Sequence, residues 1–263
     1  MEYPPISCKC STYGRTFLLE ESLQSFLKQE YPGKKELIIV NDYPEQKLFF
    51  DHPDVKIYNF DKPFDTLGEK ENFAVSQCSY DIIAVWDDDD VALPNHLSNI
   101  GKYFIDGSDL LHWQKGVMFN EPNDLKILPI GNSGIVFSRH IFNKIGGYPK
   151  GDWGYDMGLV IDIKKISKNI VLASPPDNEV SWIYMWGGRT YHLSGYDGKN
   201  KNDVISSYRD HINDLKNKGE IPIGDVTLKP RWKKDYFKLL QNHIKTNSVD
   251  YMREKIKNLH RKR

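Results

Sequence analysis

Apolar and polar positions come in blocks through the first ninety residues. Residues 6–10 read as a short strand, broken by Ser11-Thr12-Tyr13-Gly14. A helix is predicted over 15–29: Leu19, Leu23, Phe26 and Leu27 recur on one helical face, and Tyr31-Pro32-Gly33 ends it. Residues 36–40 (ELIIV) are apolar without alternation, as in a parallel strand covered on both faces, and run into Asn41-Asp42. A strand over 55–60 and a helix over 66–78 follow, with Thr66 as N-cap and Glu69 three residues on. Residues 81–86 (DIIAVW) form a third buried-type strand that stops at Asp87-Asp88-Asp89-Asp90. Pro94 then opens another helix.

This order of strand, helix, strand, helix, strand predicts an α/β fold with a Rossmann-like, mainly parallel central sheet flanked by helices. Ligands on such sheets bind beyond the carboxyl ends of the strands. Three strand ends carry polar groups: Ser11-Thr12-Tyr13, Asn41-Asp42 and the aspartate run. Their convergence on one crevice is a stronger signal than any one of them. The second half is less regular. A strand is expected over 110–113, a turn over 120–125, and a glycine-bearing loop over 131–138 that runs into a strand. Helices are expected over 139–145, closed by Gly146-Gly147, and over 152–167, and a strand over 182–186. A polar loop is expected over 187–195. We divide the chain into a main domain over 1–225 and a basic helical C-terminal extension over 226–263.

The 263 residues suffice for one full core, not for two large domains. Lysine plus arginine equals aspartate plus glutamate at 36 each, so global charge points to neither nucleic acid nor membrane. Only three cysteines occur, which fits a reducing, cytoplasmic setting better than a disulfide framework. Cys8 and Cys10 fall on one strand face and read as core thiols, since a zinc site needs ligands that the local sequence lacks. Residues 1–7 have no basic and apolar leader pattern, and no run approaches the roughly 18 to 20 apolar residues of a membrane span. The stretch 231–263 carries eleven lysines and arginines against three acids, with Tyr236, Phe237, Leu239 and Leu240 among them. A helix docked on the domain fits that pattern, and so does peripheral contact with a membrane surface or a partner.

Four carboxylates at the end of a buried strand are costly unless a cation offsets them. Mg²⁺ or Mn²⁺, held by one or two carboxylates and substrate phosphates, would do so. The solvated acidic turn is the plain alternative. The apolar strand before the run and the proline-started helix after it weigh against that.

In this order the segments resemble glycosyltransferase family 2 on the GT-A fold. Cys10-Ser11-Thr12-Tyr13-Gly14-Arg15 is similar to its P-T-Y-N-R opening, departing at Cys10 and Gly14. Ile38-Ile39-Val40-Asn41-Asp42 resembles the I-V-D-D segment. Gly68-Glu69-Lys70-Glu71-Asn72 resembles G-x-K-R-N with Glu71 in place of arginine, and Asp87 to Asp90 resembles the D-x-D box. Gly131 to Gly134 resembles the glycine loop. Tyr155-Asp156 resembles the x-E-D box with tyrosine replacing glutamate, and His192 matches a C-terminal histidine.

The resemblance implies an enzyme of the hexosyltransferase type that moves a sugar, with inversion, from a nucleoside-diphosphate sugar to an acceptor hydroxyl. UDP is the favoured nucleotide. Ser11, Thr12, Tyr13, Arg15, Asp42, Lys70, Asp87 and Asp88 would contact the nucleotide or donor sugar. Asp87, Asp89 and His192 would hold Mn²⁺ or Mg²⁺, and Asp156 would be the general base. Trp153 and Tyr155 would face an acceptor, whether a glycan, a lipid-linked sugar or a protein. Arg189 is a further diphosphate candidate. Each residue has a structural alternative: Asp42 as a turn cap, Lys70 as a solvated helix lysine, Asp156 as the N-cap of its helix, His192 as a surface histidine. Trp182 reads as core, and His112 as a partly buried, satisfied residue. Two other classes stay open: a metal-dependent nucleotidyltransferase, disfavoured because no glycine-rich phosphate loop follows the first strand, and a non-catalytic sugar- or nucleotide-binding module. No nucleic-acid-reading motif is present.

Overall fold

The two leading apolar runs lie side by side in the middle of the main sheet. β1 (Ile6–Thr12) pairs in parallel with β2 (Lys35–Asn41) on one side and β5 (Ile82–Val85) on the other. In this computed structural model, residues 3–120, 124–152, 154–186 and 201–246 are described. The sheet has seven strands. Beyond β2 lies β4 (Val55–Asn59), and beyond β5 come β10 (Val136–Ser138), β7 (Leu110–Trp113) and β11 (Ile170–Ala173). Only β10 runs against its neighbours, so the sheet is mainly parallel as expected.

The period of two explains the two-sided core. On β2, Leu37 and Ile39 face one hydrophobic layer, while Ile38 and Val40 face the other. The first layer includes Cys8 and Cys10, both free thiols, and is covered by Leu19, Leu23 and Phe26 of α1 (Thr16–Leu27). The second is covered by Ala74 and Val75 of α2 (Leu67–Gln77), Ile141 and Phe142 of α4 (Arg139–Ile145), and Leu159, Val160 and Ile163 of α5 (Tyr155–Ile166). Burial of each large aliphatic side chain stabilises by about 1.5–3 kcal/mol, so the helices are held mainly by these faces. The predicted cap holds at α2, where Thr66 Oγ1 accepts from Glu69 N at 3.2 Å, and at α4 Ser138 Oγ accepts from Ile141 N at 3.2 Å.

The structure departs from expectation in the second half. The predicted turn over 120–125 belongs to an antiparallel pair, β8 (Gly116–Asn120) with β9 (Asp124–Leu128). These join β6 (Val91–Ala92) and β12 (Trp182–Trp186) in a second sheet of order β6-β12-β8-β9. α3 (His96–Tyr103) starts two residues after Pro94, and α6 (Lys201–Asn217) is an element that the sequence pattern does not predict. β3 (Gln46–Phe49) pairs with β13 (Gly224–Thr227).

The basic C-terminal segment docks on the domain. In α7, residues 236–246, Tyr236 and Leu240 are buried against Phe119 and Met185 of the second sheet. Tyr236 Oη donates to the buried carboxylate of Glu21 at 2.8 Å, and Lys233 N donates to the same oxygen at 2.8 Å. Among the described residues, no helix is long and apolar enough to cross a membrane.

Candidate active site

The carboxyl ends of β1, β2 and β5 open into one cleft of about 820 Å³. Ser11, Thr12, Tyr13 and Arg15 line it from the end of β1, Asp42 from the end of β2, and Asp87, Asp88 and Asp89 from the end of β5. α2 adds Lys70 and Glu71, the glycine loop adds Gly131, Asn132 and Ser133, and α5 adds Tyr155 and Asp156. The structure thus brings together all of the predicted nucleotide and metal residues that it describes. Trp153, Arg189 and His192 lie outside the described residues.

The α2 segment Gly68-Glu69-Lys70-Glu71-Asn72 organises this cleft. A Cβ on Gly68 would sit 2.1 Å from the Pro149 carbonyl oxygen, so only glycine lets the loop before α5 close on α2. Asp152 Oδ1 completes that contact by accepting from Leu67 N at 2.8 Å. Lys70, predicted to lie near the nucleotide, is buried and committed to the protein: Nζ pairs with Asp42 and donates to Thr12 O at 2.7 Å. It thereby locks the ends of β1 and β2 together. Asp42 Oδ2 also accepts from Phe64 N at 3.0 Å. Asn72 ties α2 to Tyr148, accepting from its N at 2.8 Å and donating to its O at 2.9 Å.

The aspartate run splits by direction. Asp88 accepts from Arg15 through Nε at 3.1 Å and through Nη2, and Asp89 accepts from Arg15 Nη1 at 2.8 Å. Asp87 faces the Lys9 and Glu71 side of the cleft, its backbone carbonyl held by Ser22 Oγ at 2.8 Å. Asp90 points away from the cleft. Its carboxylate accepts from Ser133 Oγ (2.7 Å), Trp182 Nε1 (3.1 Å) and Met185 N (2.9 Å), joining the glycine loop to β12. Gly134 permits this packing: its φ is +64°, and a Cβ there would lie 2.9 Å from the Trp182 ring.

Among the described residues, seven carboxylates line the cleft (Asp42, Glu71, Asp87, Asp88, Asp89, Asp152 and Asp156) against four cations, Lys9, Arg15, Lys70 and Arg209. Burial is the main cause that pushes Asp87 up to about 7; Lys9 opposes it, while Asp89, Glu71 and Asp88 add to it. Burial also raises Asp88, with Arg15 opposing. The excess of anionic oxygen fits a hard divalent cation. Among the described residues no cluster of three or more His, Cys, Asp or Glu forms a ready-made metal cage. The fit is therefore to a cation held by one or two aspartates, its remaining positions completed by substrate oxygens.

Sequence reasoning missed Lys9, Tyr148, Tyr208 and Arg209. Lys9 alone carried a signal, a charged residue in the centre of an apolar strand. It pairs with Glu71 and lies 5.1 Å from the Tyr148 ring centroid. Burial works against its ammonium, but Glu71, Tyr148, Tyr155 and Asp87 together outweigh that and hold its pKa well above the lysine range. Tyr208 and Arg209 come from α6 and line the cleft beside Tyr13 and Arg15. Tyr208 Oη donates to Tyr13 O at 3.0 Å, and its ring lies 5.6 Å from the Arg15 guanidinium. Asp156 sits in the first turn of α5, whose N-cap is Gly154, so it does not cap its helix. His112 is partly buried and bonded to Asn132 and Gln114, and Trp182 is core, as expected.

Solved structures share this architecture. PcManGT, a mannosyltransferase from Pyrobaculum calidifontis in complex with GDP-Man and Mn²⁺, matches with a TM-score of 0.56 and 18% identity, over 74% of this chain and 60% of that one. S. aureus TarS 1–349 in complex with UDP-GlcNAc matches with a TM-score of 0.53 and 15% identity, over 78% of this chain and 64% of that one. The chain thus spans about three fifths of the length of these structures. Sheet order and likeness define the GT-A fold. The family model for glycosyl transferase family 2 matches residues 10–151, more than half of the chain, and the chain belongs to that family. No curated protein sequence matches it.

Proposed function

We propose that the protein is an inverting glycosyltransferase that moves a sugar from a nucleoside-diphosphate sugar, UDP-linked by preference, to an acceptor hydroxyl. The observation that carries this reading is the placement of Asp42, Asp87 to Asp89 and Asp156 on one cleft at the carboxyl ends of the parallel strands. Family membership and the likeness to nucleotide-sugar-bound structures support it.

Tyr13 and Asp42 receive the base and ribose at the β1 and β2 end, with Ser11 and Thr12 on the same wall. Asp87 and Asp89 hold Mn²⁺ or Mg²⁺, with His192 as a further ligand. When bound, the metal supplies Lewis-acid stabilisation of charge on the leaving diphosphate. Arg15 holds the carboxylates of Asp88 and Asp89 in line through its guanidinium. Arg209 at the rim adds positive charge for the diphosphate. The Asp156 carboxylate takes the proton of the acceptor hydroxyl, whose oxygen attacks the anomeric carbon. The bond from that carbon to the diphosphate oxygen breaks, the oxygen keeps the electron pair, and configuration inverts. Tyr155 lines the cleft beside Asp156, on the side assigned to the acceptor, and the resemblance gives Trp153 the same role.

A thermal-shift panel of nucleoside diphosphates and nucleotide sugars, each with Mn²⁺ or chelator, tests this. A ligand at 100 times its Kd stabilises the fold by about 2.7 kcal/mol. Metal-dependent stabilisation by one nucleotide family supports the reading. A folded protein that no nucleotide stabilises, with metal present, overturns it in favour of a binding module of another kind.

A further inference from the structure

The floor of the cleft holds an ion pair that the proposed reaction does not use. Lys9 and Glu71 are salt-bridged with side chains 4% exposed each, yet both line the cleft. Buried ion pairs are weak stabilisers, and apolar residues of similar volume commonly serve a core as well. Glu71 stands where the family pattern has an arginine, and its cation comes from Lys9 of β1.

Its position is informative. On one side Lys9 pairs in register with Val85, two residues before Asp87, and its carbonyl accepts from Trp86 N at 2.9 Å; on the other its ammonium lies 5.1 Å from the Tyr148 ring, which packs at 5.8 Å on Tyr155, the neighbour of Asp156. The pair therefore lies between the aspartates assigned to the leaving diphosphate and the carboxylate assigned as base. A sugar in transfer has to occupy that interval, because its anomeric carbon is bonded to the one side and attacked from the other. Glu71 Oε2 is taken by Lys9, whereas Oε1 has no hydrogen-bond partner among the described residues. A carboxylate oxygen beside an ammonium is a strong acceptor for sugar hydroxyls. It repels a second carboxylate. With the Lys9 charge already matched by Glu71, a sugar acid placed against Glu71 would meet a second carboxylate whose one paired cation is taken.

We propose that Glu71, held in place by Lys9, is a specificity-determining residue that binds hydroxyls of the transferred sugar and selects neutral hexoses over hexuronates. This inference rests on the donor cleft proposed above.

The test is calorimetric binding of UDP, UDP-glucose and UDP-glucuronate with Mn²⁺ to the full chain, to Glu71→Gln, and to the charge-neutral double variant Lys9→Met/Glu71→Gln. If the panel above selects another nucleotide, its diphosphate, hexose and hexuronate forms replace these. The wild type is expected to prefer the neutral sugar by about tenfold or more, the size of one charge-assisted contact. Both variants should keep UDP affinity within about twofold while that preference collapses toward one. The double variant guards against Glu71→Gln failing to fold around an unpaired Lys9. A wild type that binds the hexuronate as tightly as the hexose, or a double variant that keeps the full preference, overturns the inference and leaves the donor cleft standing. A wild type that binds no nucleotide overturns the donor cleft and this inference with it.

Discussion

Arg15 grips both carboxylate oxygens of Asp88 and, with its remaining terminal nitrogen, reaches Asp89 at 2.8 Å. One guanidinium thus offsets two buried aspartates. Arg15→Ala leaves them unmatched, and we expect a loss of about 3–5 kcal/mol, the usual result of removing one partner from a buried pair. Urea unfolding in chelator reads this out. Part of the loss should return with Mn²⁺, since a divalent cation offsets the same carboxylates. No destabilisation, or no recovery, would show that these acids are not electrostatically strained.

Asp156→Asn should leave donor binding within about twofold and reduce transfer by about 10²–10⁴, the contribution of a positioned general base. Donor calorimetry and product formation, measured on the same preparation, separate the two. Transfer at the wild-type rate would place the base elsewhere.

For Asp89→Ala, donor stabilisation should lose its dependence on Mn²⁺, because an anionic ligand is gone. The comparison is the thermal shift with nucleoside diphosphate, with and without chelator. A metal dependence equal to wild type would remove Asp89 from the metal site.

Arg209 lines the rim of the cleft from an exposed position on α6. Lys9, Lys70 and Arg15 are each paired with acids. Arg209→Ala should weaken nucleoside diphosphate binding by about three- to tenfold and flatten its salt dependence, as expected for a partly exposed charge. Binding of the uncharged nucleoside should be unchanged. Equal losses for both would mean a packing role instead.

His96 gives a pH prediction that concerns the fold alone. It is fully buried among Trp86, Trp113 and Trp182, with Nδ1 2.9 Å from Ser181 Oγ. Burial pulls its pKa down from 6.5 to about 3. The unfolded chain therefore binds a proton that the folded chain refuses, so stability is full above pH 6.5 and falls as pH drops toward 3. At pH 4.5 the loss is about 2.7 kcal/mol, two pH units below the unfolded pKa. His96→Phe should remove that part of the acid slope in urea melts at pH 7 and 4.5.

Much of the first half was legible in the sequence. The alternation of short apolar strands with amphipathic helices marked β1, β2, β5, α1 and α2, and strand ends in a parallel sheet point one way, so their polar residues had to meet. The second sheet was hidden for a physical reason. β8 and β9 mix polar residues into half-buried antiparallel positions, and such a pattern reads as a turn. Tyr208 and Arg209 carry no local motif; they reach the cleft only through the docking of α6 on Tyr13 and Tyr43. Lys70 was legible as a cleft residue, but whether its ammonium would meet substrate or Asp42 depends on a contact between residues 28 apart in the chain.

The direction of Asp90 has a consequence for any mutational survey. Three members of the run line the cleft, while the fourth is a rivet through which two sheets and a loop are fastened. An alanine scan would score all four as essential. Activity alone would count Asp90 among the chemistry, although what it loses is the wall on which that chemistry stands.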